Sequence, residues 1–267
     1  MWDEAERKNI MKKLDWKVFN ETLVIGGKGK MEKDQMEYPW SHMRNQIKTI
    51  IIVDEIETIA PSAFKNFKAL TTVIITADIK TICNSAFEYC KSLTSVTIPD
   101  SVTSIGDFAF RDCSSLTNIK IPDGVKSIGW RAFSRCTGLT RITIPDSVTS
   151  IEAFAFYNCY SLASVTIGNS VTSIEDSTFY GCISLLSITI PDSVTSIGEW
   201  AFRNCDNLTS ITIGKNVKSI GYSAFKDCIR LHTVTIKNRE VNICSRAFDG
   251  CDSLEQITLG KCDELPF

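Results

Sequence analysis

One motif recurs along the chain at a fixed step of 23 residues. Its consensus is Ala-Phe-x-x-Cys-x-x-Leu-x-x-Val/Ile-x-Ile, followed by Pro or Gly and then by Val-x-x-Ile. The phenylalanine occurs nine times without an insertion or deletion, at Phe64, Phe87, Phe110, Phe133, Phe156, Phe179, Phe202, Phe225 and Phe248. A unit this short cannot bury a core alone. The repeat therefore predicts a solenoid in which each turn covers its neighbours.

The repeat around Phe110 predicts the path of one turn. The Leu-x-x-Ile-x-Ile pattern that starts at Leu116 alternates like a strand with one buried face. Pro122 follows at once and has no N–H for a ladder, so the strand should end there. The chain then returns through Val-x-x-Ile, and the spacing within residues 130–136 fits one short helical turn. Because every turn returns to the same end, successive strands should pair in parallel.

The cysteines follow the same period. The sequence has 11 cysteines, and eight of them lie three residues after a repeat phenylalanine: Cys90, Cys113, Cys136, Cys159, Cys182, Cys205, Cys228 and Cys251. Phe67 fills this slot in the first unit, so the slot accepts an apolar side chain. Stacked turns lie about 4.8 Å apart, whereas a disulfide needs its Cβ atoms at about 3.8 Å. We therefore predict a column of buried free thiols.

Composition and motifs argue against several classes of function. With 29 basic and 31 acidic residues, no net field favours nucleic acid or an anionic membrane. No apolar run approaches the length of a membrane span. There is no CxxC pair, and His42 and His232 stand alone, so no metal site is predicted. Phosphate-loop, HExxH and nucleophile-elbow motifs are missing. We expect a noncatalytic protein without a cofactor, without nucleic-acid binding and without membrane insertion.

The full pattern also resembles a known family. From about Ile47 to Leu259 the chain repeats Leu-x-x-Val-x-Ile-Pro-x-x-Val-x-x-Ile-Gly-x-x-Ala-Phe-x-x-Cys, which resembles the leucine-rich repeat of BspA-like proteins. The resemblance implies an α/β repeat solenoid, a right-handed leucine-rich-repeat horseshoe with a parallel concave β-sheet and short helices or turns on the other side. Many members resemble surface proteins of bacteria and protists that bind other proteins, often host proteins.

The compartment is left open by these observations. The charged N-terminal stretch lacks the apolar segment of a secretory signal. Together with free cysteines, this favours a cytoplasmic protein. The family resemblance instead implies a cell-surface or secreted protein.

The chain divides into three predicted segments: an N-terminal cap (1–43), a solenoid of about nine units (44–259) and a C-terminal tail (260–267). The cap lacks the repeat and resembles the segment that precedes the repeats in BspA-like proteins. We predict that it is β-rich, with a short helix at 3–14. Either the tail folds over the last strand, with Leu265 and Phe267 covering it, or that strand pairs with a second molecule.

Two surfaces are candidates for binding. The outward positions of the strands form a hydroxyl-rich band, and its individual members Asn118, Lys120 and Arg141 are candidate partner-binding residues. The alternative is that threonine is there because exposed strand faces need polar residues. The second surface flanks Ala-Phe and varies from turn to turn. Its candidates are Trp130, Arg131, Phe154, Tyr157, Tyr180, Trp200, Arg203 and Tyr222.

Aromatic residues and arginine are the types that carry most binding energy at protein interfaces. The alternative is that some of these rings fill gaps between turns. A binding role predicts that Trp130 and Trp200 are at least partly exposed. We expect a protein–protein interaction module, in the form of a surface adhesion or host-interaction protein. The alternatives are a self-assembling solenoid that pairs through its C-terminal edge and, as a third reading, a carbohydrate-binding protein.

Overall fold

A computed structural model of the protein describes residues 14–31 and 38–260. The helix predicted at 3–14 therefore lies outside the described residues, except for Leu14, which begins the first strand. The predicted contacts of Leu265 and Phe267 with the last strand also lie outside them.

The described residues form short strands that recur once or twice in every turn. They are β1 Leu14–Phe19, β2 Thr22–Lys30, β3 Thr49–Ile52, β4 Glu55–Ile59, β5 Thr72–Ile75, β6 Thr81–Ile82, β7 Ser95–Thr97, β8 Ser104–Ile105, β9 Ser127–Ile128, β10 Arg141–Ile144, β11 Ser150–Ile151, β12 Ser164–Ile167, β13 Ser173–Ile174, β14 Ser187–Ile190, β15 Ser196–Ile197, β16 Ser210–Ile213, β17 Ser219–Ile220, β18 Thr233–Ile236, β19 Asn242–Ile243 and β20 Gln256–Leu259. Within this described part, the helical structure is a single 3-10 turn, Ser41–Met43.

The strands stack into two parallel ladders around one core. The first ladder contains β3, β5 and β7, is interrupted in the turn of Pro122, and resumes with β10, β12, β14, β16, β18 and β20. The second contains β4, β6, β8, β9 and β11 and, after a break in strand pairing, β13, β15, β17 and β19. In β10, Ile142 and Ile144 are buried while Arg141 and Thr143 are exposed. The molecule is a parallel-strand β-solenoid of about 10 turns, as the repeat and the predicted parallel pairing required.

The Ala-Phe segment of each turn is not helical, so of the predicted short helices or turns the structure has the turns, and the predicted α/β class is not supported. In every repeat the residues two before and two after the phenylalanine have positive φ, as at Arg131 (54°) and Arg135 (60°). Left-handed residues at a spacing of four break a right-handed helix. The segment is instead a series of tight turns.

Hydrogen bonding explains this departure from a helix. The Ser134 N–H donates to Arg131 O within its own turn (3.1 Å), whereas the Phe133 N–H donates to Ala155 O in the next turn (2.8 Å). The same alternation recurs along the solenoid. An α-helix would require every N–H to bond within its own segment. Here alternate donors join neighbouring turns, so this side of the coil is cross-linked by hydrogen bonds like the two ladders.

Stacked phenylalanine rings fill the centre of the core. Successive rings lie 5.2 to 5.4 Å apart between centroids and are nearly parallel. Trp40 starts the column: its ring lies 5.9 Å from that of Phe64. Its indole N–H donates to Ala63 O at 3.0 Å. This anchors residues before the first repeat to the core of the solenoid.

The N-terminal strands cover the first edge of the coil. β2 pairs in parallel with both β3 and β4, so it occupies the position of a preceding turn in both ladders. β1 then pairs with β2 in antiparallel fashion. The described part of the cap is therefore β-structured, as predicted, and it ends both ladders at this side. The boundaries at residues 43 and 259 stay predictions.

The cysteine column is buried and reduced. Cys90, Cys113, Cys136, Cys159, Cys182, Cys205 and Cys228 are buried, and all the cysteines of the described residues are free. Each column thiol also donates to the carbonyl of the phenylalanine one turn earlier, as Cys159 Sγ does to Phe133 O at 3.2 Å. Burial raises the pKa of Cys159 to about 12. The predicted column of buried free thiols is confirmed for seven of its eight members, whereas Cys251 is free but only half-buried. The weak S–H donors of the column have partners.

Proline residues determine where neighbouring strands of the first ladder pair only partly or not at all. Where the residue after a strand has an N–H, as in Thr76 and Lys237, that N–H donates to the end of the preceding strand and four residue pairs form. β14 is followed by Pro191, and it pairs with β12 only at Ser164–Ser187. At the turns of Pro99, Pro122 and Pro145 the pairing with the preceding strand is likewise shortened or lost. Proline removes the donor that would close each pair.

Replacing Pro191 by glycine should restore the missing residue pairs between β12 and β14. The new N–H can donate to Ile167 O, and hydrogen exchange at the amides of β14 should slow by about fivefold, since one hydrogen bond contributes about 1 kcal/mol. The reciprocal variant Gly214→Pro should speed exchange in β16. Hydrogen-exchange mass spectrometry or NMR measures both. Unchanged exchange in both variants would show that proline does not control this ladder.

The C-terminal end of the solenoid is uncovered within the described residues. All four residues of β20 are exposed, and Ile257 and Leu259 are each 44% exposed. The turn before it also departs from the repeat, because Lys237 replaces Pro or Gly and Glu240 stands at a valine position. The open edge of β20 carries unpaired backbone groups of the kind that pair with another chain.

Candidate functional site

Large side chains form a continuous line along one corner of the coil, beside the Ala-Phe turns. We call this line the aromatic edge. Each member contacts the next across turns one to seven, over about 29 Å at the usual spacing of stacked strands. Its members are Lys65, Tyr89, Phe108, Arg111, Trp130, Arg131, Phe154, Tyr157, Tyr180 and Arg203.

The centre of the aromatic edge is an arginine held between two rings. The Arg131 guanidinium carbon lies 4.6 Å from the ring centroid of Trp130 and 4.6 Å from that of Phe154. Phe108 packs edge-on against Trp130 at 4.7 Å between centroids. Cation–π contacts of this kind contribute about 0.5–2 kcal/mol each, and more when the cation is desolvated. The arrangement therefore fixes both the rings and the cation.

The line continues from Phe154 toward the C-terminus. Phe154 and Tyr157 lie 5.6 Å apart between centroids, and Tyr157 stacks on Tyr180 at 4.9 Å. The Arg203 guanidinium lies 5.9 Å from the Tyr180 ring and 3.3 Å from the Asp227 carboxylate. The structure thus brings six of the eight residues predicted for this surface into one connected line.

The remaining two predicted residues form a neighbouring pair. The rings of Trp200 and Tyr222 pack edge to face at 6.3 Å between centroids. Arg246 donates to the Tyr222 hydroxyl at 3.3 Å. Trp200 belongs to the same turn as Arg203, so the pair extends the aromatic edge toward the C-terminal turns.

Several of these residues occupy backbone positions that disfavour large side chains. The residue two before the repeat phenylalanine is left-handed in every turn, and serine occupies it in several, as at Ser177 (φ 53°). At three other turns it is Phe108 (57°), Phe154 (60°) or Trp200 (54°). Bulky residues rarely adopt positive φ, which disfavours them by about 1–2 kcal/mol. A strained position that holds large rings calls for a functional explanation.

Charges are balanced at one end of the aromatic edge and unbalanced at its centre. Glu88 is only 3% exposed and pairs with Lys65 at 2.7 Å and with Arg111 at 3.3 Å. Arg131 and Arg135 have no acidic partner among residues 14–31 and 38–260. Burial, followed by the positive charge of Arg111, lowers the pKa of Arg131. The centre of the edge is therefore cationic and partly desolvated.

Exposure agrees with the expectation for the two tryptophans. Trp130 is 37% exposed, and Trp200 is half-buried. Both rings are accessible, so the line keeps the anchors that a binding surface needs. Binding by these residues stays a prediction.

The candidates of the strand face lie apart from the aromatic edge. Asn118, Lys120 and Arg141 are exposed on the side of the first ladder. Lys120 Nζ lies 3.5 Å from the Asp100 carboxylate. On the same face, the opening between β12 and β14 forms a groove of about 480 Å³ that contains serine and threonine side chains and Lys237. The missing ladder bonds at Pro191 account for this groove without a ligand.

Sequence reasoning missed Tyr89, Lys65 and Glu88. Tyr89 bridges to the centre through Arg111, whose guanidinium lies 5.4 Å from the rings of both Tyr89 and Phe108. A signal was present: the position two after the repeat phenylalanine is Asn, Asp or Gly in most turns but tyrosine at 89 and arginine at 135. In most turns this position carries a residue that readily adopts positive φ. Large residues there therefore indicate the same surface as the aromatic edge.

Neither a metal centre nor a membrane span is found in the described part of the chain. No group of three His, Cys, Asp or Glu side chains in residues 14–31 and 38–260 is arranged to hold a metal ion. No helix in these ranges is long and apolar enough to cross a bilayer.

Solved structures share the fold. A leucine-rich repeat protein from Bacteroides ovatus is 25% identical, with a TM-score of 0.65, over 93% of this chain and 70% of the other. A leucine-rich repeat protein from T. pallidum is 24% identical, with a TM-score of 0.59, over 74% of this chain and 88% of the other. A third, from Eubacterium ventriosum, is 23% identical, with a TM-score of 0.50, over 94% and 84%.

Sequence comparison identifies the family. No curated protein is significantly similar to this chain in sequence. Residues 40–163 and 149–265 match the BspA type leucine rich repeat region, in six copies. The matched residues cover most of the chain and include its whole repeated part. The chain therefore belongs to the BspA type leucine-rich repeat family.

Proposed function

We propose that this protein is a noncatalytic interaction module and that its aromatic edge is the surface that binds another protein. The observation that carries the proposal is the run of large rings at left-handed backbone positions. The fold does not require large side chains at this position, since serine occupies it in other turns. They do assemble a connected, partly exposed line of aromatic and arginine side chains, the types that dominate binding energy at interfaces.

The shape of the fold supports this function. A solenoid presents an extended surface on which each turn adds one or two side chains at constant spacing. The core columns stay constant, whereas the residues of the aromatic edge differ from turn to turn. An adhesion or host-contact role at the cell surface is the form of this function that the family resemblance favours.

Removal of the two tryptophans should abolish partner capture. We expect wild-type protein to retain a partner from extracts of source and host cells, and Trp130→Ala/Trp200→Ala to lose it. Each interface anchor contributes about 2 kcal/mol or more, equal to about 30-fold in affinity, so loss of both should weaken binding by about 1000-fold. Alanine at position 200 keeps the same backbone strain, so folding should be preserved, which circular dichroism checks.

A matched variant on the strand face distinguishes the two surfaces. Lys120→Ala/Arg141→Ala removes two exposed cations from the first-ladder side and should keep the partner. Loss of the partner in this variant, with full retention in the tryptophan variant, would contradict the proposal and move the site to the serine and threonine face. Recovery of only the protein itself would favour self-assembly.

A second candidate function is self-assembly through the C-terminal edge. It is favoured by the exposure of Ile257 and Leu259 on the open strand β20. Self-assembly should appear in light scattering as a mass that rises with concentration. It should disappear when charged residues replace these two side chains. A constant monomer mass in both proteins would exclude this candidate. The carbohydrate reading loses support, because Arg131 already covers a face of Trp130 and of Phe154.

A further inference from the structure

The centre of the aromatic edge has the geometry of a receptor for an anion. We propose that Arg131, held between Trp130 and Phe154, binds a carboxylate of the partner, and that the partner therefore presents an acidic segment to this corner. This inference rests on the proposed function, and it names the chemistry of the partner rather than the mere presence of one.

Two nearly perpendicular rings position the Arg131 guanidinium. The ring centroids of Trp130 and Phe154 each lie 4.6 Å from its carbon and 6.1 Å from each other, with the ring planes 79° apart. The guanidinium therefore lies in the corner between the two rings, and these contacts restrict its rotation before a ligand arrives. Its N–H groups form a planar fork that matches the two oxygens of a carboxylate.

Arg131 has no internal partner among residues 14–31 and 38–260. No carboxylate in these ranges lies at ion-pair distance from it, and its buried Nε has no hydrogen-bond acceptor there. Because Nε is buried, an incoming carboxylate would bind the terminal N–H groups of the guanidinium. It would supply the acceptors and the negative charge that the described chain does not provide.

The charges around the Arg131 guanidinium are unbalanced. Arg111 and Arg135 are close enough to Arg131 to disfavour its charged form. Arg111 is neutralised by Glu88 and Asp112, whereas Arg135 is exposed on the same turn as Arg131. Two cations without acidic partners in the described chain therefore face solvent at the centre of an otherwise aromatic line. A segment with several carboxylates complements this pattern, because charge complementarity steers partners and fixes register.

The test uses an acidic peptide of defined composition. A hexaglutamate peptide is titrated into the full-length protein, with a hexaglutamine peptide as the uncharged match. The readout is the NMR signal of the Trp130 indole, assigned with a Trp130→Phe variant. We expect the hexaglutamate peptide, and not hexaglutamine, to shift this signal. Inorganic phosphate is titrated separately, to separate a general oxyanion site from a site for carboxylate-bearing peptides.

Two variants of Arg131 separate binding from packing. Arg131→Gln should weaken hexaglutamate binding by about 10- to 100-fold, the loss expected for a charged, bidentate contact. Arg131→Lys keeps the charge but lacks the planar fork, so it should not restore binding. Arg141→Gln removes the same charge from the strand face and should leave binding unchanged. Urea unfolding shows whether the variants are equally stable.

Each outcome decides the inference. Equal shifts with both peptides, full binding by Arg131→Lys, or no shift with any peptide would overturn the carboxylate site. Tighter binding of inorganic phosphate than of hexaglutamate would also overturn it, in favour of a phosphorylated ligand. The function proposed above fails by a different result, namely capture of a partner that is unaffected by the tryptophan variant. The two failures are therefore distinguishable.

Discussion

Raising the pH from 9 to 11 is expected to unfold the protein in a steep transition. Seven column thiols are buried, and burial raises the pKa of each above its ordinary value of 9.0. In the unfolded chain these thiols ionise near pH 9, whereas in the folded chain they stay protonated. The raised pKa values therefore contribute stability that is complete below pH 9 and is lost as the pH rises toward the folded pKa values, about 12 for Cys159.

The size of the effect follows from linkage. Each buried thiol removes about 1.4 kcal/mol of unfolding free energy per pH unit in this window. The six column thiols other than Cys205 together lower it by about 8 kcal/mol by pH 10, which is comparable with the whole stability of a typical domain, about 5–15 kcal/mol. The measurement is urea unfolding at several pH values from 7 to 10, together with circular dichroism as the pH is raised to 11.5, both under reducing conditions.

A single substitution isolates the thiol contribution from that of tyrosine and lysine. Cys159→Val leaves an apolar side chain in a slot that already accepts Phe67 in the first turn. The slope of unfolding free energy against pH should become shallower by about 1.4 kcal/mol per unit. An identical slope in wild type and variant, or a wild-type protein that stays folded at pH 11.5, would contradict the account of a buried thiol column.

Removing one central ring should destabilise the solenoid by about 3–5 kcal/mol. Phe156 is fully buried and lies between Phe133 and Phe179, each at 5.4 Å between centroids. Phe156→Ala therefore leaves a cavity and removes two ring contacts, each of which adds about 0.5–1.5 kcal/mol beyond burial. Urea unfolding monitored by circular dichroism measures the loss.

The terminal ring of the same column serves as the matched control. Phe248 is only partly buried and stacks on one described neighbour, Phe225, at 5.2 Å. Phe248→Ala should therefore lower the free energy of unfolding clearly less than Phe156→Ala. Part of the Phe248 ring is already exposed to water, and the substitution breaks one ring contact instead of two. Equal losses at both positions would show that the column does not act as a stack of nearest-neighbour contacts.

The repeat carried enough information to predict the solenoid, its parallel sheet and its columns. The spacing of phenylalanine, cysteine and leucine fixes which side chains stack, because a constant step leaves the register no freedom. The error at the Ala-Phe segment has a definite cause. Spacings of three and four fit a helical turn and a series of left-handed turns equally well, and Phe154 or Trp200 gives no local signal for positive φ. The signal lay two residues after the phenylalanine, where Asn66 and Asp112 favour a left-handed residue.

The sequence predicted only part of the effect of the prolines on strand pairing in the first ladder. The missing N–H of Pro122 predicts a strand end, but its larger effect is to release the whole strand from the turn before it. For the site, residue types marked the right corner of the coil. The sequence could not indicate that Arg131 lies between two rings of successive turns. That contact depends on the direction of side chains from left-handed residues, which periodicity does not determine.

The most direct test of the central claim is photo-cross-linking from two exposed positions in living source cells. One variant carries a photoreactive residue at Glu199, which is exposed and adjoins Trp200, and the other carries it at Thr189, on the strand face. If the aromatic edge is the binding surface, the variant at position 199 should form a covalent adduct with another protein, and the variant at position 189 should not. An adduct from position 189 alone would contradict the claim and place the binding surface on the first ladder.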